Sequence, residues 1–218
     1  KKAIISLSDK SEIKLILNTL KKYEVNLISS GGTSKEIKKL GYKCTEVSEY
    51  TNADEILDGR VKTLHPKLYA GILSKRENKN HKRELKKNNY NEIDLVVVNF
   101  YPFQKTVEQD KSNEEIIENI DIGGVSLIRA AAKNYKNVLV LTDPNDYTQF
   151  MDSYGYVLHL ETLRKEFALK AFQHTVEYDQ NIVKYLDNRI TYRKYTRENP
   201  IKYGCNPYQS NAFISKIN

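Results

Sequence analysis

Only two cysteines occur in this chain, Cys44 and Cys205. They are far apart and lack any CxxC or Cys/His spacing, so neither a disulfide nor a zinc site is expected, and a reducing cytoplasm is the simplest setting. Histidine is also sparse. None of the four has a paired carboxylate at ligand spacing, so no metal is expected. Long apolar runs are missing too: Ala3 to Ile5 and Leu95 to Val98 are strand-sized, which argues against a membrane span. No charged-then-apolar leader opens the sequence, although the first residue is Lys1 rather than Met and the natural start is therefore open. Basic charge is abundant, with a formal net of +7. It is spread over Lys/Asn-rich stretches such as Lys75 to Asn91 without an aromatic-interleaved stripe, so no nucleic-acid partner is expected.

What remains is a folded, soluble composition: 39% hydrophobic residues, 16 Tyr and six Phe over 218 residues, enough for one substantial core with room for an appendage. The stretch that organises the rest is DIGGVSLIRAAAKN, Asp121 to Asn134. Val125 to Lys133 has high helix propensity, and Asp121 stands just before its start. Gly123 and Gly124 allow close approach of a ligand to backbone N–H groups whose dipoles favour negative charge. Arg129 and Lys133, four apart, share a helix face. An ordinary amphipathic helix with an Asp cap accounts for the same residues.

In chain order, Ala3 to Leu7 reads as a buried strand, followed by a helix with Ile13, Ile16, Leu17 and Leu20 on one face. Val25 to Ser29 is a second strand. It runs into Ser30, Gly31, Gly32 and Thr33, and Thr33 to Glu36 has the pattern of a capping box for the next helix. Strand, glycine turn and helix in that order form either a phosphate cradle or a plain tight turn. Ser8 and Lys10, after the first strand, reach the same sheet edge. Tyr42 to Val47 is a third strand. GRVKTLHP, Gly59 to Pro66, crowds Arg60, Lys62, Thr63 and His65 into a loop that is either a ligand loop or a surface turn. Pro66 to Leu73 begins a helix at its proline, and the polar stretch after it is helical near His81 to Lys87. Leu95 to Asn99 is the clearest strand, buried on both faces, and delivers Tyr101 at its end. Ser112 to Glu115 is a capping box, Val138 to Leu141 a fifth strand, and Asp143-Pro144 a helix start. Leu160 to Leu186 is one long helix suited to packing or dimerisation. The pattern gives an α/β domain with a mostly parallel central sheet flanked by helices.

Taken together, SLSDK (Ser6 to Lys10), SSGGT (Ser29 to Thr33), GRVKTLHP, NFYPF (Asn99 to Phe103), DIGG with AAAKN, and ALKAFQHTVEYD (Ala168 to Asp179) resemble the IMP cyclohydrolase domain of the bifunctional AICAR transformylase/IMP cyclohydrolase family. The resemblance covers residues 1–189. It implies a methylglyoxal-synthase-like fold and a cofactor-free closure of the formamido ribotide FAICAR to IMP. Residues 190–218 resemble a linker and the truncated start of a transformylase domain, the part that would need 10-formyltetrahydrofolate. By the same resemblance, Ser8, Lys10, Ser30, Gly32, Thr33 and Arg60 bind the ribotide phosphate with Thr63 nearby, and Asn99 contacts the base.

Lys62, Tyr101, Asp121 and Lys133 resemble the family's catalytic group. In that assignment Asp121, paired with Lys133, handles the amide proton. Lys62 and a helix N-terminus hold the oxyanion, and Tyr101 assists the departure of water. Two positions depart from the family, which often has histidine in place of Tyr69 and Tyr208. A cytoplasmic homodimer acting on a small purine ribotide is the corresponding expectation. The alternative is an effector-binding module of the same fold, which would need the phosphate loops but not the four catalytic groups together.

Overall fold

The computed structural model describes residues 1–109, 111–154, 160–193, 195–201 and 212–217. Cys205 and Tyr208, each given a reading above, lie outside the described residues. The chain divides into two compact units, Lys1–Tyr178 and Asp179–Asn218. The division falls inside the long C-terminal helix rather than after it.

In the first unit, β1 (Lys2–Leu7) leads to α1 (Ile13–Lys22), β2 (Asn26–Ser29), α2 (Gly31–Lys39), β3 (Thr45–Glu46) and α3 (Val47–Thr51). After the cation-rich loop come α4 (Pro66–Leu73), α5 (Lys79–Lys87), β4 (Leu95–Asn99), α6 (Phe103–Val107) and α7 (Asn113–Glu118). Next are α8 (Gly123–Lys133), β5 (Leu139–Leu141), a 3-10 turn at Pro144–Asp146, α9 (Tyr147–Ser153) and α10 (Leu160–Leu186). The second unit carries β6 (Tyr195–Ile201) paired antiparallel with β7 (Ala212–Ile217).

The five-stranded sheet has the order β3-β2-β1-β4-β5, and every pairing is parallel. The chain winds outward from β1 through β2 to β3, then crosses back to β4 on the other side of β1. The strand order therefore reverses between β1 and β4, and their C-terminal ends open the crevice in which such sheets bind ligands. Alternation along each strand splits the core. Ala3, Ile5, Leu7, Leu27, Leu95, Val97, Leu139 and Leu141 pack with α1, α9 and the start of α10, including Ile16, Leu17, Phe150 and Phe167. On the opposite side α8 packs over β4 and β5, and α4 packs on α8. All five residues of β4 are buried, as its β-branched run requires of a strand covered on both faces.

Three local expectations change in the folded chain. The third strand is only Thr45–Glu46, because Val47 already begins α3 with its side chain buried. The helix α8 starts at Gly123, two residues before the propensity run. The capping box at Thr33 does not form, since α2 begins at Gly31 with no side-chain cap. Gly31 adopts φ +56, the left-handed turn that brings the chain from β2 into the helix and that glycine takes without steric cost. Thr33 lies inside the helix, and its hydroxyl accepts from Leu7 N and donates to Leu7 O, both at 2.9 Å. One side chain thus ties α2 to the end of β1. The capping box at Ser112 and Glu115 forms as expected, as does the proline at the first position of α4.

Because Thr33 is buried and satisfies both polar groups of Leu7, Thr33→Val, which keeps the shape and removes the hydroxyl, is expected to cost about 1–3 kcal/mol of stability in urea unfolding. Thr33→Ser should recover most of it. Equal stability of parent and Val variant would show that the tie does not hold the rim of the sheet.

Candidate active site at the C-terminal edge of the sheet

A cavity of about 540 Å³ opens at the strand C-termini, lined by Ser6 and Ser30 from the sheet side, Asp58 to Arg60, Lys62 and Thr63 from the loop before α4, and Ile117 to Gly124 around the start of α8. That volume is within the range of small-ligand sites. A groove of similar size at the opposite edge is lined by Lys1, Lys2, Lys82 and Lys86 among others. It lacks both the glycine turns and the half-buried acid that distinguish the first.

Asp121 is a half-buried acid. Its Oδ1 accepts from Gly124 N at 2.7 Å, so the carboxylate caps the helix it precedes, and its own N–H donates to the Tyr178 hydroxyl at 2.8 Å. Glycine is required at both following positions by contact rather than conformation. A Cβ on Gly124 would lie 2.4 Å from Asp121 Oδ2, and one on Gly123 would lie 2.6 Å from Thr63 Oγ1. The cation-rich loop therefore seats directly on the first turn of α8. Burial raises the Asp121 pKa above the usual Asp value, against the lowering effect of the Gly124 N–H. An acid in that state can accept and return a proton more readily than a surface aspartate.

The other side of the cavity is built from the glycine turn. Lys62 Nζ lies 3.5 Å from where a Cβ would stand on Gly31, and Lys10 Nζ lies 4.0 Å from the same point on Gly32. Two ammonium groups thus flank the N-terminus of α2, whose free N–H groups already favour an anion. The loop reaches this place through a tight turn over residues 57–60, closed by paired backbone hydrogen bonds between Ile56 and Val61. Each of its cations meets a carboxylate from outside the loop: Lys62 Nζ lies 2.9 Å from Glu55 Oε2, and Arg60 is bound by Glu118.

Of the residues expected from the sequence, Ser30, Arg60, Lys62, Thr63, Asp121, Gly123 and Gly124 line this one cavity. Lys10 and Gly32 stand beside it, and Ser8 is exposed on the adjoining loop. Four placements correct the expectation. The Thr33 hydroxyl is committed to Leu7. The buried Asn99 amide is committed to the neighbouring loop: Oδ1 accepts from Ser8 N and Asp9 N, and Nδ2 donates to Asp9 O. It braces the strand-switch crevice rather than facing a ligand. Tyr101 is 41% exposed, and its hydroxyl accepts from Gln109 outside the cavity lining. Lys133 is exposed at the far end of α8, roughly 15 Å of helix rise from its first turn, and no ion pair joins it to Asp121. Lys62, which lines the cavity with Gly123 and Gly124, reaches the start of α2.

Three residues were missed. Glu55 and Glu118 received no reading from the sequence, and their pairing with loop cations sets them apart. Tyr178 sits inside the quoted ALKAFQHTVEYD motif, one turn beyond His174, and against Phe100. Of the other residues noted earlier, His65 caps α4 by accepting from Lys67 N, and Arg129 lies over the Phe172 ring. Tyr69 stands in α4 with its phenol pKa pushed up to about 12 by burial, within electrostatic reach of Asp121. Among the described residues no group of three or more His, Cys, Asp or Glu is placed to hold a metal ion, and no helix is long and apolar enough to cross a membrane.

Two family models match: the MGS-like domain over residues 12–126, and the AICARFT/IMPCHase bienzyme over residues 131–218. The bifunctional purine biosynthesis protein PurH of Prochlorococcus marinus (strain MIT 9312) is 44% identical over 214 residues, covering 95% of this chain and 41% of that protein. The protein of the same description from Acetivibrio thermocellus is 41% identical over 227 residues, covering 100% of this chain and 44% of that protein. The chain thus spans less than half the length of these relatives. Among solved structures, the crystal structure of ForH superposes with a TM-score of 0.74 at 27% identity, covering 85% of this chain and 96% of that one.

The raised pKa of Asp121 fixes the sign of a stability experiment. The folded chain holds this proton more tightly than the unfolded chain, so the charged carboxylate costs stability at neutral pH, and the cost disappears as pH falls through the folded pKa and below the unfolded one. Asp121→Asn keeps an oxygen for Gly124 N and removes the charge. It is expected to be at least as stable as the parent in urea at pH 7, with the advantage gone near pH 3. An advantage that instead grew on acidification would contradict the burial.

Proposed function

Since this chain belongs to the MGS-like domain family, we propose that it closes the ring of FAICAR to IMP with loss of water, the cyclohydrolase half of a bifunctional purine enzyme. The observation that carries the reading is one cavity lined both by the cations and Ser30 at the start of α2 and by the half-buried carboxylate of Asp121. Relatives described as bifunctional purine biosynthesis proteins, together with a bienzyme family model over the C-terminal part, support the same substrate class.

In this reading the ribotide phosphate lies at the start of α2 against Ser30, Lys10, Lys62 and Arg60, and the base lies towards Asp121. The carboxamide nitrogen attacks the formyl carbon, forming the new C–N bond and turning the formyl oxygen into an oxyanion. Asp121 accepts one proton from the attacking nitrogen and returns it to that oxygen. The formamido N–H then gives up its proton, the C–O bond breaks, and the oxygen leaves as water as the ring double bond forms. In this reading the Thr63 hydroxyl and the backbone N–H of Gly123 face the developing negative charge, while the Gly124 N–H stays on Asp121. Holding both reacting groups of one substrate in contact contributes a large share of the rate. No cofactor enters these steps. A homodimer in the cytoplasm belongs to the same proposal.

The placement of Tyr101 and Lys133 outside the cavity favours a second reading, a sensor that binds a purine nucleotide without turning it over. Incubation with FAICAR, followed by IMP absorbance, separates the two. Turnover in the parent should fall about 10²- to 10⁴-fold in Asp121→Ala, with a comparable loss in Lys62→Ala. Tight nucleotide binding with no turnover in the parent would establish the sensor, and unchanged rates in both variants would exclude the mechanism.

A further inference from the structure

We propose that Glu118 is a positioning residue for Arg60: it grips one edge of the guanidinium and so aims the opposite edge at the anionic group of the ligand. Only the identity of that ligand rests on the cyclohydrolase reading. A guanidinium is a rigid plane with five N–H donors and more than one edge able to bind an oxyanion bidentately. Glu118 occupies the side edge: Nε donates to Oε1 at 3.0 Å, and Nη2 donates to Oε2. Both protons of Nη1 and the second proton of Nη2 are left to the opposite end of the fork; Asp58, on the same turn, is within electrostatic reach of the guanidinium. Both residues line the cavity that also holds Ser30 and Lys62.

The backbone under Arg60 shows that its direction is imposed. Leu57 and Asp58 both adopt φ +54, and Gly59 adopts φ +87. Left-handed geometry is costly for a branched side chain such as leucine and persists only where surrounding contacts over-determine it. Here the Ile56–Val61 pairing holds the turn. The turn fixes where the Arg60 side chain starts but not where it ends, because that side chain is 68% exposed. Glu118, at the end of α7 and three residues before Asp121, supplies the missing constraint and links Arg60 to the segment that carries the half-buried acid. The bond pattern also separates this role from simple competition. A carboxylate sitting on the end of the fork would have to leave before an anion could bind, whereas one on the side edge can stay.

The test uses inorganic phosphate as the binding probe and FAICAR as substrate, with Glu118→Gln, which keeps the size and removes the charge and one acceptor. The Kd for phosphate and the KM for FAICAR should both rise about 3- to 10-fold, with kcat within about twofold of the parent. In an Arg60→Lys background the same substitution should change neither, because an ammonium has no second edge to aim. Tighter phosphate binding in Glu118→Gln, an unchanged Kd, an equal penalty in the Arg60→Lys background, or no phosphate binding by the parent would each overturn the proposal. Phosphate binding without FAICAR turnover in the parent would remove the cyclohydrolase reading, and the phosphate measurements would still decide the role of Glu118.

Discussion

A carboxylate partly withdrawn from water without a cation must be held by oriented dipoles, and the way Asp121 is held governs this site. Its oxygen caps the first turn of α8 through Gly124 N, while its backbone is fixed by the Tyr178 hydroxyl of α10. The arrangement leaves no space for a side chain on Gly124, and the adjacent lack of space on Gly123 is filled by Thr63. One helix N-terminus therefore positions both the acid and the loop that carries the cations. The two halves of the cavity are coupled through a pair of glycines rather than assembled independently.

The sheet supplies the other half of the frame. Its strand order reverses between β1 and β4, and the loop leaving β1 would be unsupported there if Asn99 did not take two of its N–H groups and donate to Asp9 O. Thr33 closes the other side of β1 by bonding Leu7. Both residues have the polar chemistry of ligand contacts, and both spend it on the rim. Hydrogen bonding within the protein satisfies buried polar groups that would otherwise carry a desolvation cost, and what remains for a ligand is the backbone of the glycine turn with Lys10, Lys62 and Arg60 around it.

Much of this was legible in the sequence. Strand β4 announced itself as a β-branched apolar run, and α4 and α7 through a proline and a capping box placed where helices prefer them. The glycine turn at Gly31 and the DIGG segment were readable as helix starts at the sheet edge, and both border the cavity. What could not be read was which partner a polar side chain chooses. Thr33 followed the spacing of a capping box, but a buried contact 26 residues earlier in the chain took its hydroxyl. Asp121 and Lys133 are both charged residues of one segment, yet a helix of 11 residues between them keeps them at opposite ends. Glu118 carries no local signal, since its role comes from pairing with Arg60, 58 residues earlier, and Glu55 meets Lys62 only through the turn between them. Local periodicity reports which face is buried and nothing about contacts across the fold.

The most direct measurement of the central claim, that one cavity joins an anion cradle to a half-buried acid, is the titration of the Asp121 carboxylate by carbon NMR in protein labelled at aspartate, with Asp121→Asn for assignment. In the free protein its midpoint should lie above the usual Asp value of 3.8. A purine ribotide should move that midpoint, whereas ribose 5-phosphate, which fills only the cradle, should leave it nearly unchanged. A midpoint at the ordinary value that no ribotide disturbs would contradict the claim.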